Sequence, residues 1–222
     1  IAAPAGRFLE MMTNIYQSDL TTRAKRAKTA PAISTCIELS RILETEILSG
    51  NIDFSKPALE PQRELLFQPV EGVALEMPIV SSMVKELSPL VLYLRHLARS
   101  NHLLVIDEPE MNLHPQAQVR LIEFLAMLVN AGLHIMVTTH SPYMVDHLVN
   151  LMKASELGGG EKIQSKFYLK RAEAFIPKEC VSVYLFQDGS ARSILSEEGM
   201  IDWGTFGGIS DQVAQIYFDI QE

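Results

Sequence analysis

Apolar and polar positions follow a helical period over the first quarter of the chain. Residues 1–7 are expected to be a short extended piece stopped by Pro4 and Gly6. Residues 8–49 then read as helix, with Leu39, Ile42, Leu43, Glu46 and Ile47 spaced for one face. Pro31 interrupts that pattern and predicts two helices. Residues 50–64 are Pro-rich and polar and predict a loop. ELLFQP and VALEMPIV, on either side of Val70-Glu71-Gly72, predict a hairpin. The next stretch, SSMVKELSPLVLYLRHLAR, predicts a helix whose apolar stripe is Val84, Leu87, Val91, Leu94 and Leu97. Pro89 lies inside it and predicts a kink or a late start.

The pattern then changes. Residues 102–107 form a continuous apolar run, expected to be a strand buried on both faces. Residues 115–130 predict a helix with Pro115 in its first turn and Gly132 as its stop. HIMVTTH predicts a second buried strand. SPYMVDHLVNLM predicts a helix capped by Ser141, with Pro142 at its first position. Strand, helix, strand, helix with short connections implies an α/β fold built on a parallel sheet. LGGGEKIQ reads as a loop, and VSVYLFQDGSARSILS as a hairpin turning at Asp188-Gly189. A closing helix is expected from about Ser210.

Composition narrows the function classes. Of the 222 residues, 47% are hydrophobic and 21% charged, enough for a sizeable core. The net charge of -8 excludes a general attraction to nucleic acid, so any DNA contact is local. Arg23, Lys25, Arg26 and Lys28 form a basic cluster, read either as a solvated helix face or as a local contact with phosphate backbone. Cys36 and Cys180 lack metal-type spacing and suggest no disulfide scaffold, which makes a reducing cytoplasm the default. No apolar run approaches the roughly 20 residues of a membrane helix. The start, IAAPAGR, has no Met and reads as a fragment or as a chain whose beginning lies elsewhere.

The densest chemistry lies in LLVIDEPEMNLHP. A buried strand here ends on two adjacent acids, Asp107 and Glu108. At the carboxyl edge of a parallel sheet, where ligands bind in such folds, two like charges need a positive partner. A hydrated Mg²⁺ with a nucleotide phosphate supplies it: one acid holds the metal through its water shell, and the other orients and deprotonates a water. The strand HIMVTTH ends on Thr138, Thr139 and His140, placing an imidazole near the same edge. Such a histidine can hydrogen-bond a γ-phosphate or its attacking water.

Together, VIDEPEMNLHP and VTTHSPYMVD resemble the ATPases related to ABC transporters and SMC proteins, and within them the OLD-like and RecF-like AAA branch found in DNA repair and anti-phage systems. The resemblance covers residues 78–150 and is weaker elsewhere. It implies an ABC ATPase-like P-loop NTPase fold, here its C-terminal lobe (65–222), with residues 1–64 as the start of the head and an inserted helical arm. It further implies ATP and Mg as cofactors, Asp107 as the Walker B metal ligand, Glu108 as catalytic base and His140 as switch histidine. Asn112, Leu113 and His114 correspond to the D-loop that crosses a dimer interface. The expected partners are a second copy head-to-head, DNA through the arm, and an effector such as a nuclease, with no membrane.

Such heads close a serine signature at a helix start over the nucleotide of the facing subunit. Ser81 and Ser82 hold that position and equally suit a plain helix cap. Met83 stands where the family carries glycine, whose missing side chain permits close approach to phosphate. No G-x-x-x-x-G-K-[ST] occurs, and the sequence contains no Gly-Lys pair. Gly158-Gly159-Gly160-Glu161-Lys162 lacks the Lys-Ser/Thr ending and is expected to open no helix. The phosphate cradle is therefore expected to lie outside this sequence, to sit on a second polypeptide, or to be lost. A second possibility is a non-catalytic, ATPase-like module that holds or regulates an effector. A Toprim-type nuclease is disfavoured, since no D-x-D is present for its metal.

Overall fold

A computed structural model describes residues 30–54, 64–202 and 215–216. The extended start, the first helix, the basic cluster and most of the closing helix lie outside the described residues. Helix α1 (Pro31–Ile42) opens on the proline expected to divide the helical region and runs into a π-helical turn, Leu43–Leu48. Its buried stripe includes Leu39, Ile42, Leu43 and Ile47, as the period predicts. The buried acid is Glu44, however, while Glu46 stays exposed. The cause is a specific partner set: Glu44 pairs with Arg95 Nη2 at 2.6 Å and accepts Ile52 N–H at 2.6 Å. A buried carboxylate persists only when so compensated.

Residues 50–64 were expected to be a loop, yet β1 (Asn51–Phe54) pairs antiparallel with β2 (Leu65–Val70), which pairs with β3 (Val73–Glu76). Only Ile52 of β1 is fully buried, which left a four-residue strand hidden among polar neighbours. The β2–β3 hairpin is as expected, turning through Gly72 at φ 81. Helix α2 (Ser82–His96) starts immediately after Ser81, whose Oγ accepts Val84 N–H at 3.4 Å. Pro89 sits inside the helix without delaying its start. Val84, Leu87, Val91 and Leu94 are buried, and Leu97 caps the end half-buried.

β4 (Leu103–Asp107) and β5 (His134–Thr138) are parallel, joined through α3 (Pro115–Asn130), and β5 leads into α4 (Pro142–Glu156). Register runs from Leu103 opposite His134 to Asp107 opposite Thr138. The α/β architecture with a parallel sheet thus stands. One expectation fails: neither strand is buried on both faces. Leu104, Ile106, Ile135 and Val137 pack on the core, while Leu103 (65%), Val105 (60%) and Met136 (51%) are exposed. Among the described residues nothing covers that face. An apolar run reads the same whether its second face is covered from within the chain or not.

The Gly-rich stretch does open a helix, the single turn α5 (Glu161–Gln164), which corrects the expected loop. β6 (Tyr184–Gln187) and β7 (Ser190–Ser193) form the expected hairpin, with Asp188 (φ 52) and Gly189 (φ 74) both left-handed as a tight hairpin turn requires. Residues 215 and 216 are helical. Among the described residues no helix is long and apolar enough to cross a membrane.

Candidate functional site

The parallel register brings the two strand ends side by side. Asp107 and Thr138 are partners, and the Thr138 hydroxyl donates to Asp107 Oδ1. The chain then turns sharply at Glu108, whose φ of 42 is left-handed. Glu108 N–H stays tied to β5, donating to Thr138 O and Thr138 Oγ1, both at 3.1 Å. That turn carries the Glu108 carboxylate to His140, with Oε1 3.3 Å from Nε2. Glu108 is about one-third exposed and the His140 ring mostly exposed. Three of the expected site residues, Asp107, Glu108 and His140, therefore share one edge.

The following loop is built on short turns. Met111 N–H donates to Glu108 O at 3.1 Å and Leu113 N–H to Glu110 O at 2.9 Å. Leu113 is buried and anchors the loop, while Met111 is exposed. His114 caps α3 through Nδ1, which accepts Gln116 N–H at 3.4 Å. The Asn112 side chain donates to Glu86 Oε1, joining this loop to α2. Ser81 and Ser82 stand at the start of that helix, both exposed. Among the described residues no hydrogen bond joins either serine to Asp107, Glu108 or His140. The Met83 side chain is half-buried against the core.

A groove of about 570 Å³ runs along the free side of β4, from Leu103 to Glu108. Its opposite wall is Leu87, Leu90 and Tyr93 of α2. Both acids border it. Among the described residues no group of three or more His, Cys, Asp or Glu side chains is placed to hold a metal ion. An exposed carboxylate oriented by a hydroxyl suits Mg²⁺, which keeps most of its waters and takes only one or two protein carboxylates.

Sequence reasoning passed over one residue. Glu110, two residues beyond Glu108, is 6% exposed and reaches across to the end of β5. Its Oε1 accepts from Thr139 Oγ1 at 2.5 Å and from His140 N–H at 2.8 Å. An acid between Pro109 and Met111, where a surface loop would be solvated, was the available signal.

A sequence model described as "AAA ATPase domain" matches residues 9–145, a span that contains every site residue named above. No curated protein matches the chain. A solved structure from work on the ATP-driven dimerization and DNA-stimulated activation of SMC ATPases is similar over 90% of this chain and 98% of its own, at 14% identity and a TM-score of 0.41.

Proposed function

The chain belongs to the AAA ATPase domain family, and from that premise we propose that it is the C-terminal lobe of an ATP-hydrolysing head of the OLD-like and RecF-like branch. The observation that carries this is the shared edge: Asp107 oriented by Thr138, and Glu108 beside His140 at 3.3 Å. Asp107 would hold Mg²⁺ through its water shell, and the metal would supply charge neutralisation for the phosphates. Glu108 accepts a proton from the attacking water as the water oxygen bonds to the γ-phosphorus and the bond to the ADP oxygen breaks. His140 hydrogen-bonds the γ-phosphate side. The N–H groups at the start of α2, with Ser81 and Ser82, serve the nucleotide of a facing copy. The Met83 side chain packs against the core. Asn112 and His114 lie at the interface with that copy.

In this reading residues 1–64 begin the head and carry the arm, and 65–222 form the lobe, with β1 completing the lobe's antiparallel sheet. The phosphate cradle comes from a segment beyond these 222 residues. Among the described residues one face of β4 and β5 is uncovered, whereas parallel sheets are covered on both faces. DNA repair or anti-phage defence is the proposed setting. The test is Mg²⁺-dependent ATP turnover by the full-length protein, with and without Glu108→Gln. Turnover abolished with ATP binding kept supports the assignment. Unchanged turnover removes Glu108 as base.

A further inference from the structure

We propose that Glu110 is a positioning residue that fixes where His140 stands at the strand edge. The proposal rests on the functional reading above for its catalytic consequence, but its geometry is independent of it.

His140 is the first residue after Thr139, beyond the last paired residue of β5, and its ring is mostly exposed, with Glu108 as its one ion-pair neighbour among the described residues. Little side-chain packing is available to place it. Its backbone, by contrast, is held. His140 N–H donates to Glu110 Oε1 at 2.8 Å. The Thr139 hydroxyl donates to the same oxygen at 2.5 Å and accepts Ser141 N–H at 3.0 Å. One carboxylate oxygen thus gathers the chain from residue 139 to 141. Ser141 is fixed a second time, as its Oγ caps α4 at Met144 N–H (3.2 Å) and donates to Gln118 Oε1 at 2.5 Å. Gln118 in turn donates to Leu113 O at 2.8 Å, which closes the circuit back to the loop that carries Glu110.

Burial is what makes the anchor selective. Glu110 lies within three residues of Asp107 and Glu108, yet those two face the edge and Glu110 faces inward. Hydrogen bonds to a carboxylate are roughly twice as strong as neutral ones, and a low-dielectric setting strengthens them further. Its other oxygen, Oε2, is buried with no hydrogen-bond partner among the described residues. The anchoring is therefore done by Oε1 alone. Gln keeps that acceptor oxygen but makes it neutral, so it should anchor more weakly than Glu and better than Ala.

The experiment has two readouts. In the 222-residue chain labelled at histidine, exchange of the His140 amide with solvent is measured by NMR for wild type, Glu110→Gln, Glu110→Ala and Thr139→Val. Protection should fall about 10-fold or more in Glu110→Ala, as expected for a lost charge-assisted bond, and less in Glu110→Gln, which keeps a neutral acceptor. It should fall less in Thr139→Val, where His140 N–H keeps its acceptor. In the full-length protein, kcat for ATP should fall about 100-fold in Glu110→Ala with KM unchanged, the scale of a small misplacement, and Glu110→Gln should restore part of it. If Glu110→Ala does not fold, the contrast between Glu110→Gln and Thr139→Val decides. Protection unchanged in Glu110→Ala, or lost equally in Glu110→Gln, overturns the anchor whatever turnover does. Protection lost in Glu110→Ala with turnover intact leaves the anchor standing and overturns His140's place in the reaction.

Discussion

Thr138 holds Asp107 from the neighbouring strand: its hydroxyl donates to Asp107 Oδ1 and takes Glu108 N–H at 3.1 Å. One side chain on β5 therefore orients the first acid and steadies the backbone of the second. Thr138→Val removes both bonds and keeps the shape. The Mg²⁺ concentration giving half-maximal turnover should rise about 10- to 100-fold, as when partners behind a metal ligand are lost. Titrating Mg²⁺ against turnover in the full-length protein checks this. An unchanged requirement would show that Asp107 does not depend on Thr138.

Glu108 occupies left-handed backbone at φ 42, where a Cβ is disfavoured. Comparing Glu108→Gly with Glu108→Ala isolates that strain, because both lose the carboxylate. The glycine variant should be more stable by about 1 kcal/mol in urea denaturation. Equal stability would mean the turn relaxes once the carboxylate is gone. Both variants should lack turnover.

Leu103, Val105 and Met136 expose apolar surface on one face of the parallel pair. Leu103→Ser with Val105→Ser should change the stability of the 222-residue chain by less than about 1 kcal/mol, as exposed substitutions do. The same pair should weaken binding of a separately expressed segment carrying the phosphate-binding loop, measured by calorimetry. A large loss of stability in the chain alone would show that the face is already covered from within.

Glu123 of α3 is fully buried and accepts three bonds: His147 Nε2 at 2.8 Å, Tyr168 N–H at 3.0 Å and Leu169 N–H at 2.7 Å. It fastens the segment after α5 onto α3 and α4. Glu123→Ala strands these donors and should cost about 3–5 kcal/mol. Hydrogen exchange at Tyr168 and Leu169 should accelerate with it. A cost near zero would mean that water replaces the carboxylate.

Much of this fold was legible because its signals are local. Ser81 and Ser141 cap helices within three residues of themselves, Pro115 and Pro142 pre-set helix starts, and Asp188-Gly189 supplies two left-handed residues where a hairpin needs them. The acids of the site were legible for the same reason, since the apolar run before them marks a strand end. β1 was missed because its evidence is a partner strand, not its own four residues.

What the sequence determined by itself was therefore periodicity, caps, turns and the placement of Asp107, Glu108 and His140 at two strand ends. The tertiary structure alone decided which residues compensate each other at long range: Glu44 with Arg95, Glu123 with His147, and Glu110 with the His140 backbone. It also decided that, among the described residues, one face of β4 and β5 stays open. Periodicity is a property of neighbouring residues and survives in the linear chain. Burial and the pairing of a buried charge depend on which distant groups the fold delivers, and no pattern of neighbours encodes that.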